Sequence, residues 1–221
     1  MLDKLLKNRS KKILGLDISN SAVKILELSR KGQICEITAF ASAEMPANAI
    51  VEKEIKKVEE VAHAINAAHK LSRSNSKDVA VAIADSSVII KIIKMDAAIT
   101  ENEMEEQIMF EADKHVPYPI EDVRLDFQIL GPSKKDERFN NILLVASRAQ
   151  TVDAYIEVVE EAGLNLKVVD VESFVANKMI EYLMPSQQTQ QQKDEKQDKS
   201  KAVIGLIDIG KTQTTLTAYQ E

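Results

Sequence analysis

A mixed α/β fold, with a smaller α/β subdomain inserted into it, is what this sequence predicts. Three observations lead there. The first stretch reads as three strands, a helix and two more strands. A second series of helices and strands begins at Thr100, where Thr100 and Glu103 make a capping box. The third observation is a pattern written twice: apolar strand, Asp, Ile, a small residue, a polar turn, then another strand. One copy is Gly15-Leu16-Asp17-Ile18-Ser19-Asn20-Ser21 and the other is Gly205-Leu206-Ile207-Asp208-Ile209-Gly210-Lys211-Thr212.

Bulk properties narrow the classes. The 221 residues are 44% hydrophobic, enough for one large domain with a subdomain inserted. The net charge is −6, which gives no basic footprint and argues against nucleic acid as the main partner. Aromatic residues make up 4% and there is no Trp, so a base-stacking surface is not expected either. The single cysteine, Cys35, excludes an intramolecular disulfide and fits a reducing compartment; it reads as a small core residue. No window approaches the roughly 20 apolar residues of a membrane span. The basic N-terminal stretch carries Leu2, Leu5 and Leu6 at helical spacing and is no signal peptide; it reads as a helical cap on its own domain or a frayed end, with contact to a membrane surface or a partner as the alternative. A cytoplasmic protein is expected.

Taken in order, residues 13–28 read as the first hairpin and 34–42 as a third strand, a meander closed by Met45-Pro46. Val51, Ile55, Val58, Ala62 and Ile65 recur at spacings of three and four, predicting a helix over 51–71 with Glu52, Glu54, Lys56 and Lys57 on its solvated face. His63 and His69, six apart, do not share a face, so no metal pair is expected there. Residues 79–84 form a near-continuous apolar run, as for a strand covered on both faces. A strand over 88–95 follows, then a helix from Thr100 to His115, stopped by Val116-Pro117-Tyr118-Pro119. Residues 123–131 read as a strand, 132–140 as a charged loop and 141–149 as a strand. Thr151 is read as the cap of a helix ending at Gly163. A strand over 164–171 and a helix over 172–184 follow. Residues 185–201, rich in Gln and Lys, cannot bury enough surface to offset the cost of ordering, and read as a disordered insertion.

The two hairpins suggest chemistry. A turn supplies consecutive backbone N–H groups, and small residues let an anion approach. Ser19, Asn20 and Ser21 would do this in one turn, and Gly210, Lys211 and Thr212 in the other. An aspartate beside phosphate makes sense if a hydrated Mg²⁺ lies between, since Mg²⁺ keeps most of its waters. Asp17 and Asp208 would then hold the metal through water.

With these residues on the page, the sequence resembles the actin/Hsp70/sugar-kinase superfamily. Within it, it resembles the PilM family of actin-like type IV pilus assembly proteins. The family-specific matches are Val116-Pro117-Tyr118-Pro119, Leu125-Asp126-Phe127, Val145-Ala146-Ser147-Arg148 and Val169-Asp170-Val171-Glu172-Ser173-Phe174. The resemblance implies an actin-like, ribonuclease H-like mixed sheet from residues 1–94 and 167–221. Residues 95–166 would form the small subdomain that PilM shares with FtsA. It implies ATP and Mg²⁺ as cofactors, with Asp17, Ser19, Asn20, Ser21 and Lys24 as the first phosphate motif. Asp208, Gly210, Lys211 and Thr212 would be the second, and Glu172 the residue that orients water. Ser19 stands where many relatives have Gly. It further implies a scaffold with little or no turnover, held at the inner membrane by the N-terminal cytoplasmic tail of a PilN-type protein and linked to the pilus motor. An FtsA-like or type II secretion component is the alternative, as is a phosphotransferase, for which the sequence offers no catalytic base. The lobe that carries the adenosine-binding segment of such proteins does not follow the second hairpin here. The expectation is therefore of a truncated chain that binds ATP weakly.

Overall fold

The computed structural model describes residues 12–32, 34–183 and 203–220. The expected insertion at 185–201 and the N-terminal leucines lie outside the described residues.

The main sheet begins as the meander the sequence predicts. Strands β1 (Leu14–Ile18), β2 (Ala22–Lys31) and β3 (Ile34–Glu44) pair antiparallel. The 11-residue β3 is the outer strand. A miniature hairpin of β4 (Ile50–Val51) and β5 (Glu54–Ile55) precedes helix α1 (Val58–Ser72), which crosses over to β6 (Asp78–Ile83), parallel to β1. Much later β10 (Asn165–Val171) joins parallel to β6, giving the order β10-β6-β1-β2-β3. This is the mixed sheet of an actin-like, ribonuclease H-like fold.

Alternation decides which face is buried. Leu14, Leu16, Val23, Ile25, Val79, Val81 and Ile83 point to one side, against Val61, Ile65 and Ala68 of α1 and Val158 and Val159 of α3 (Ala149–Glu161). Gly15, Asp17, Lys24, Leu26, Ala80 and Ala82 point to the other side, where α4 (Glu172–Leu183) runs. Strand β6 is thus fully buried on one face only, whereas its apolar run predicted both. The small alanines of the second face leave an open groove there.

A three-stranded antiparallel sheet, β7 (Val88–Asp96), β9 (Asp136–Arg148) and β8 (Val123–Ser133) in that order, has its own core with α2 (Glu101–Ala112). Ile108, Ala112, Ile142 and Leu144 are its most buried members. The chain enters this sheet at Val88, ahead of residue 95, and α3 has already returned to the first core before residue 166. Among the described residues, strands β11 (Val203–Ile209) and β12 (Thr214–Gln220) pair only with each other.

Several local readings change. The helix expected over 51–71 starts at Val58. Before it, Glu52 and Lys53 adopt left-handed backbone, with φ of 51° and 67°, and close the β4–β5 turn. Val51 and Ile55 keep helical spacing by coincidence. What they serve is a two-residue turn whose register pairs Ile50 with Ile55. The charged loop expected at 132–140 is the tip of the β8–β9 hairpin, turned by Lys134 and Lys135 alone. Thr151 lies inside α3; Arg148 stands at its N-cap and no side chain caps it. Cys35 is half-buried on the outer strand, away from the core, and its amide donates to the Tyr182 hydroxyl at 2.9 Å. The Thr100–Glu103 box does form, with the Thr100 amide donating to the Glu103 carboxylate at 3.1 Å.

One buried charge fastens the first sheet. The Glu27 side chain is only 6% exposed and accepts from Lys12 Nζ at 2.5 Å, from the Thr38 hydroxyl at 2.6 Å and from the Ser74 hydroxyl. The hydrogen bond from Lys12 is the largest influence holding its carboxyl down, from 4.5 to about 2; those from Ser74 and Thr38 add to it. It ties β2, β3 and the α1–β6 loop together.

Candidate functional site

Asp17 stands one residue before the end of β1, on the face away from the core. The register places Lys24 of β2 directly opposite, and Lys24 Nζ lies 3.0 Å from Asp17 Oδ2. Both side chains are about half exposed, so this pair is soft and easily exchanged for another partner. The turn between them is closed locally. The Ser19 amide donates to the Ala22 carbonyl at 3.0 Å, and the Ser19 hydroxyl donates to the same oxygen at 2.9 Å. The Met45 amide donates to the Ser21 carbonyl at 3.1 Å, which fixes the turn to the end of β3.

The second turn repeats this geometry. The Gly210 amide donates to the Gln213 carbonyl at 2.9 Å. A β-carbon at Gly210 would stand 2.9 Å from that same oxygen, so the close approach requires glycine. The two turns meet. Asn20 Nδ2 donates to the Thr212 hydroxyl at 3.3 Å across 192 residues of sequence. The Tyr219 hydroxyl donates to the Ser173 carbonyl at 3.1 Å and holds β12 against α4.

Between them lies a cavity of about 620 Å³ lined by Asp17, Lys24, Glu172 and Asp208, with Asp170 alongside. Its remaining wall is apolar, including Leu26, Phe40, Val168, Val175 and Met179. The carboxylates outnumber the one lysine of that lining, leaving surplus negative charge. Tyr155, buried on α3, senses it. Its hydroxyl is pushed up to about 12, first by burial and then by the charges of Glu172 and Asp17.

The residues fit a magnesium polyphosphate in their chemistry. Among the described residues, the backbone amides of Asn20, Ser21, Lys211 and Thr212 have no protein acceptor. Paired with small or hydroxyl side chains, they are the donors an anion takes. Among the described residues no three carboxylate or histidine groups converge on one point, so any divalent ion here would keep most of its water.

Of the residues singled out in the sequence, Asp17, Lys24, Glu172 and Asp208 come to one cavity, and Asn20 and Thr212 join the two tips. Ser19 is committed to its own turn. Lys211 faces solvent. The sequence reading missed Lys53, whose Nζ lies 3.1 Å from both carboxylate oxygens of Glu172. No spacing signal connects two residues 119 apart. Lys53 falls within the stretch expected as helix over 51–71, whereas the helix starts only at Val58.

A second pair of features lies where the two sheets meet. One groove, of about 230 Å³, is lined by Phe127, Leu143, Val145, Val169 and Phe174, with Asp126 and Asp170 at its rim. The other, of about 270 Å³, is more polar; Arg148 there packs over the Tyr118 ring at 5.7 Å and reaches Glu54 at 3.7 Å. Segments singled out for the family resemblance thus converge on both grooves. Among the described residues no helix is long and apolar enough to cross a membrane.

Comparison with known proteins bears on this arrangement. The family model described as type IV pilus assembly protein PilM matches residues 15–221. The chain is similar to a protein solved in a "PilM-PilN type IV pilus biogenesis complex", with 27% identity and a TM-score of 0.74; the match covers 93% of this chain and 57% of that one. The chain therefore spans little more than half the length of that relative. Remoter likenesses are to the cytoplasmic domain of EpsL, an inner-membrane component of the Vibrio cholerae type II secretion system, and to a Bacteroides thetaiotaomicron protein with an actin-like ATPase fold. The first shows 15% identity, 72% and 57% coverage and a TM-score of 0.47; the second 12%, 95% and 66%, and 0.46.

Proposed function

The chain belongs to the PilM family of type IV pilus assembly proteins, and on that premise we propose that it is a nucleotide-binding scaffold of pilus assembly. In this reading Mg-ATP lies between the two hairpins, and a PilN-type membrane protein is held by its N-terminal cytoplasmic tail. The observation that carries the nucleotide half is the tip-to-tip meeting of Asn20 and Thr212 above a cavity shared by Asp17 and Asp208. Asp17 and Asp208 would hold the water shell of Mg²⁺, which would supply charge neutralisation for the phosphates. Ser19–Ser21 and Gly210–Thr212 present amides and hydroxyls to them, and Lys24 leaves Asp17 to face them. Glu172 holds a water near the end of the phosphate chain. The reading favours ordering over turnover: a nucleotide bound here joins a buried hairpin to an exposed one.

The partner half is supported by the protein described in complex with PilN, which shares this chain's fold. The tail lies in the apolar groove between β10 and the three-stranded sheet, with Phe127 and Phe174 as its walls and Asp126 at its rim. Such a tail brings the protein to the inner membrane, and the protein in turn links it to the pilus motor. A synthetic tail peptide of the PilN-type protein, titrated into the full-length protein by fluorescence anisotropy, tests this. Saturable binding, weakened about tenfold or more by Phe174→Ala, is expected; no binding to the unaltered protein contradicts the scaffold.

A further inference from the structure

We propose that Lys53 is a phosphate-contacting cation of the cleft, and that its ion pair with Glu172 is the resting place of a group that turns to the terminal phosphate of a nucleoside triphosphate. This rests on the reading of the cleft as a nucleotide site and adds to it a residue that neither hairpin supplies.

The first ground is conformation. Glu52 and Lys53 are consecutive left-handed residues, and neither is Gly or Asn, the residues that adopt this backbone at little cost. Such strain persists only where surrounding structure enforces it, and it collects at ligand clamps. The enforcement is visible here. The Lys56 and Lys57 amides both donate to the Ala49 carbonyl, at 2.8 and 3.2 Å, and Ile50 is buried. The result of this framework is the aim of one side chain, Lys53, into the cleft. An ion pair with side chains 30% and 42% exposed contributes little stability and does not by itself account for a strained turn.

The second ground is position. Glu172 lines the cavity that holds Asp17, Lys24 and Asp208. Lys53 and Glu172 also line an adjoining cavity of about 320 Å³, shared with Gln213 and Thr214 where β12 leaves the second turn. Lys53 therefore stands where the phosphate cavity meets the second hairpin. It enters from the β4–β5 turn, so the group it meets is the end of a phosphate chain whose earlier members are cradled by the hairpin turns.

The third ground is charge. Each lysine at the cleft is parked on a carboxylate: Lys24 on Asp17 and Lys53 on Glu172. A magnesium triphosphate carries more negative charge than its metal neutralises, and it attracts both cations. Asp17 would hold the metal's water, and Lys24 would then be free of it. Lys53 needs only to swing off Glu172, and Glu172 is then left to hold a water. A diphosphate lacks the group that Lys53 reaches, so Lys53 gives preference for the triphosphate.

The test uses the full-length protein with Mg-ATP and Mg-ADP in separate calorimetric titrations, comparing the unaltered chain with Lys53→Met, Lys53→Arg and Glu172→Gln. The expected result is that Lys53→Met weakens Mg-ATP about tenfold or more and leaves Mg-ADP within about twofold. Lys53→Arg retains most of the preference, and Glu172→Gln, which releases Lys53, increases it. An unchanged ATP-to-ADP ratio in Lys53→Met, or equal loss of both nucleotides, overturns the proposal while leaving the nucleotide reading in place. If the unaltered protein binds neither nucleotide, the nucleotide reading fails and this proposal falls with it.

Discussion

The two hairpins at the cleft share a sequence pattern and a turn geometry, yet they are supported very differently. In the first, Leu14, Leu16, Val23 and Ile25 are buried in the core, and β1 and β2 each have a further strand beside them. In the second, Val203, Ile207, Ile209 and Leu216 are all more than 60% exposed, and among the described residues its strands pair only with each other. A lone two-stranded ribbon is marginal in water. The first turn is firmly seated, and the side-chain hydrogen bonds described between the second hairpin and the rest of the molecule are Asn20–Thr212 and Tyr219–Ser173. Similar local sequence yields the same turn; tertiary burial decides whether the turn stays put. On the proposed reading, a nucleotide bridging them would order the second against the first.

The widest separation is expected in stability. Ile25→Ala removes a fully buried side chain and should cost about 2–5 kcal/mol, whereas Ile207→Ala, at an exposed position, should stay within about 0.5 kcal/mol. Urea denaturation measures both, and equal losses would erase the contrast.

Acid sharpens it next. Glu27 anchors the first hairpin and has a folded pKa of about 2, below its ordinary 4.5. A lowered carboxyl pKa contributes stability that is present above about pH 4.5 and lost as pH falls through the folded value. The contribution is on the order of 3 kcal/mol at neutral pH. Glu27→Gln should lower stability by about that amount near neutrality and flatten the slope between pH 4.5 and 2, as read from melting temperature against pH.

The smallest effect is at the turn itself. Gly210→Ala forces a β-carbon against the Gln213 carbonyl and should open the second hairpin by about 1 kcal/mol, seen as faster hydrogen exchange in β11 and β12. Gly15→Ala, whose added carbon meets its nearest atom, the Leu26 carbonyl oxygen, at 3.7 Å, should leave exchange in the first hairpin unchanged.

What was legible in the sequence follows the same division. The meander, the Thr100–Glu103 cap and the recurrence of Asp-Ile before a polar turn are local signals, and each appears where local reading puts it. The β4–β5 turn was hidden, because left-handed Glu52 and Lys53 carry no Gly or Asn to announce it and the flanking apolar residues mimic helical spacing. The β8–β9 tip was taken for a loop because exposed strands at a hairpin end are as polar as a loop. In the site, the aspartates were visible as motif members. Lys53 was not, since its partner Glu172 is brought to it only by the parallel addition of β10 to β6.

The central claim is that Asp17 and Asp208, on unequally supported hairpins, together hold one magnesium nucleotide. Calorimetric titration of Mg-ATP into the full-length protein and its Asp17→Ala and Asp208→Ala variants tests it most directly, with circular dichroism as a check on the fold. Loss of binding in each variant, with the fold retained, is the predicted result. Unchanged Mg-ATP affinity in either variant would contradict it.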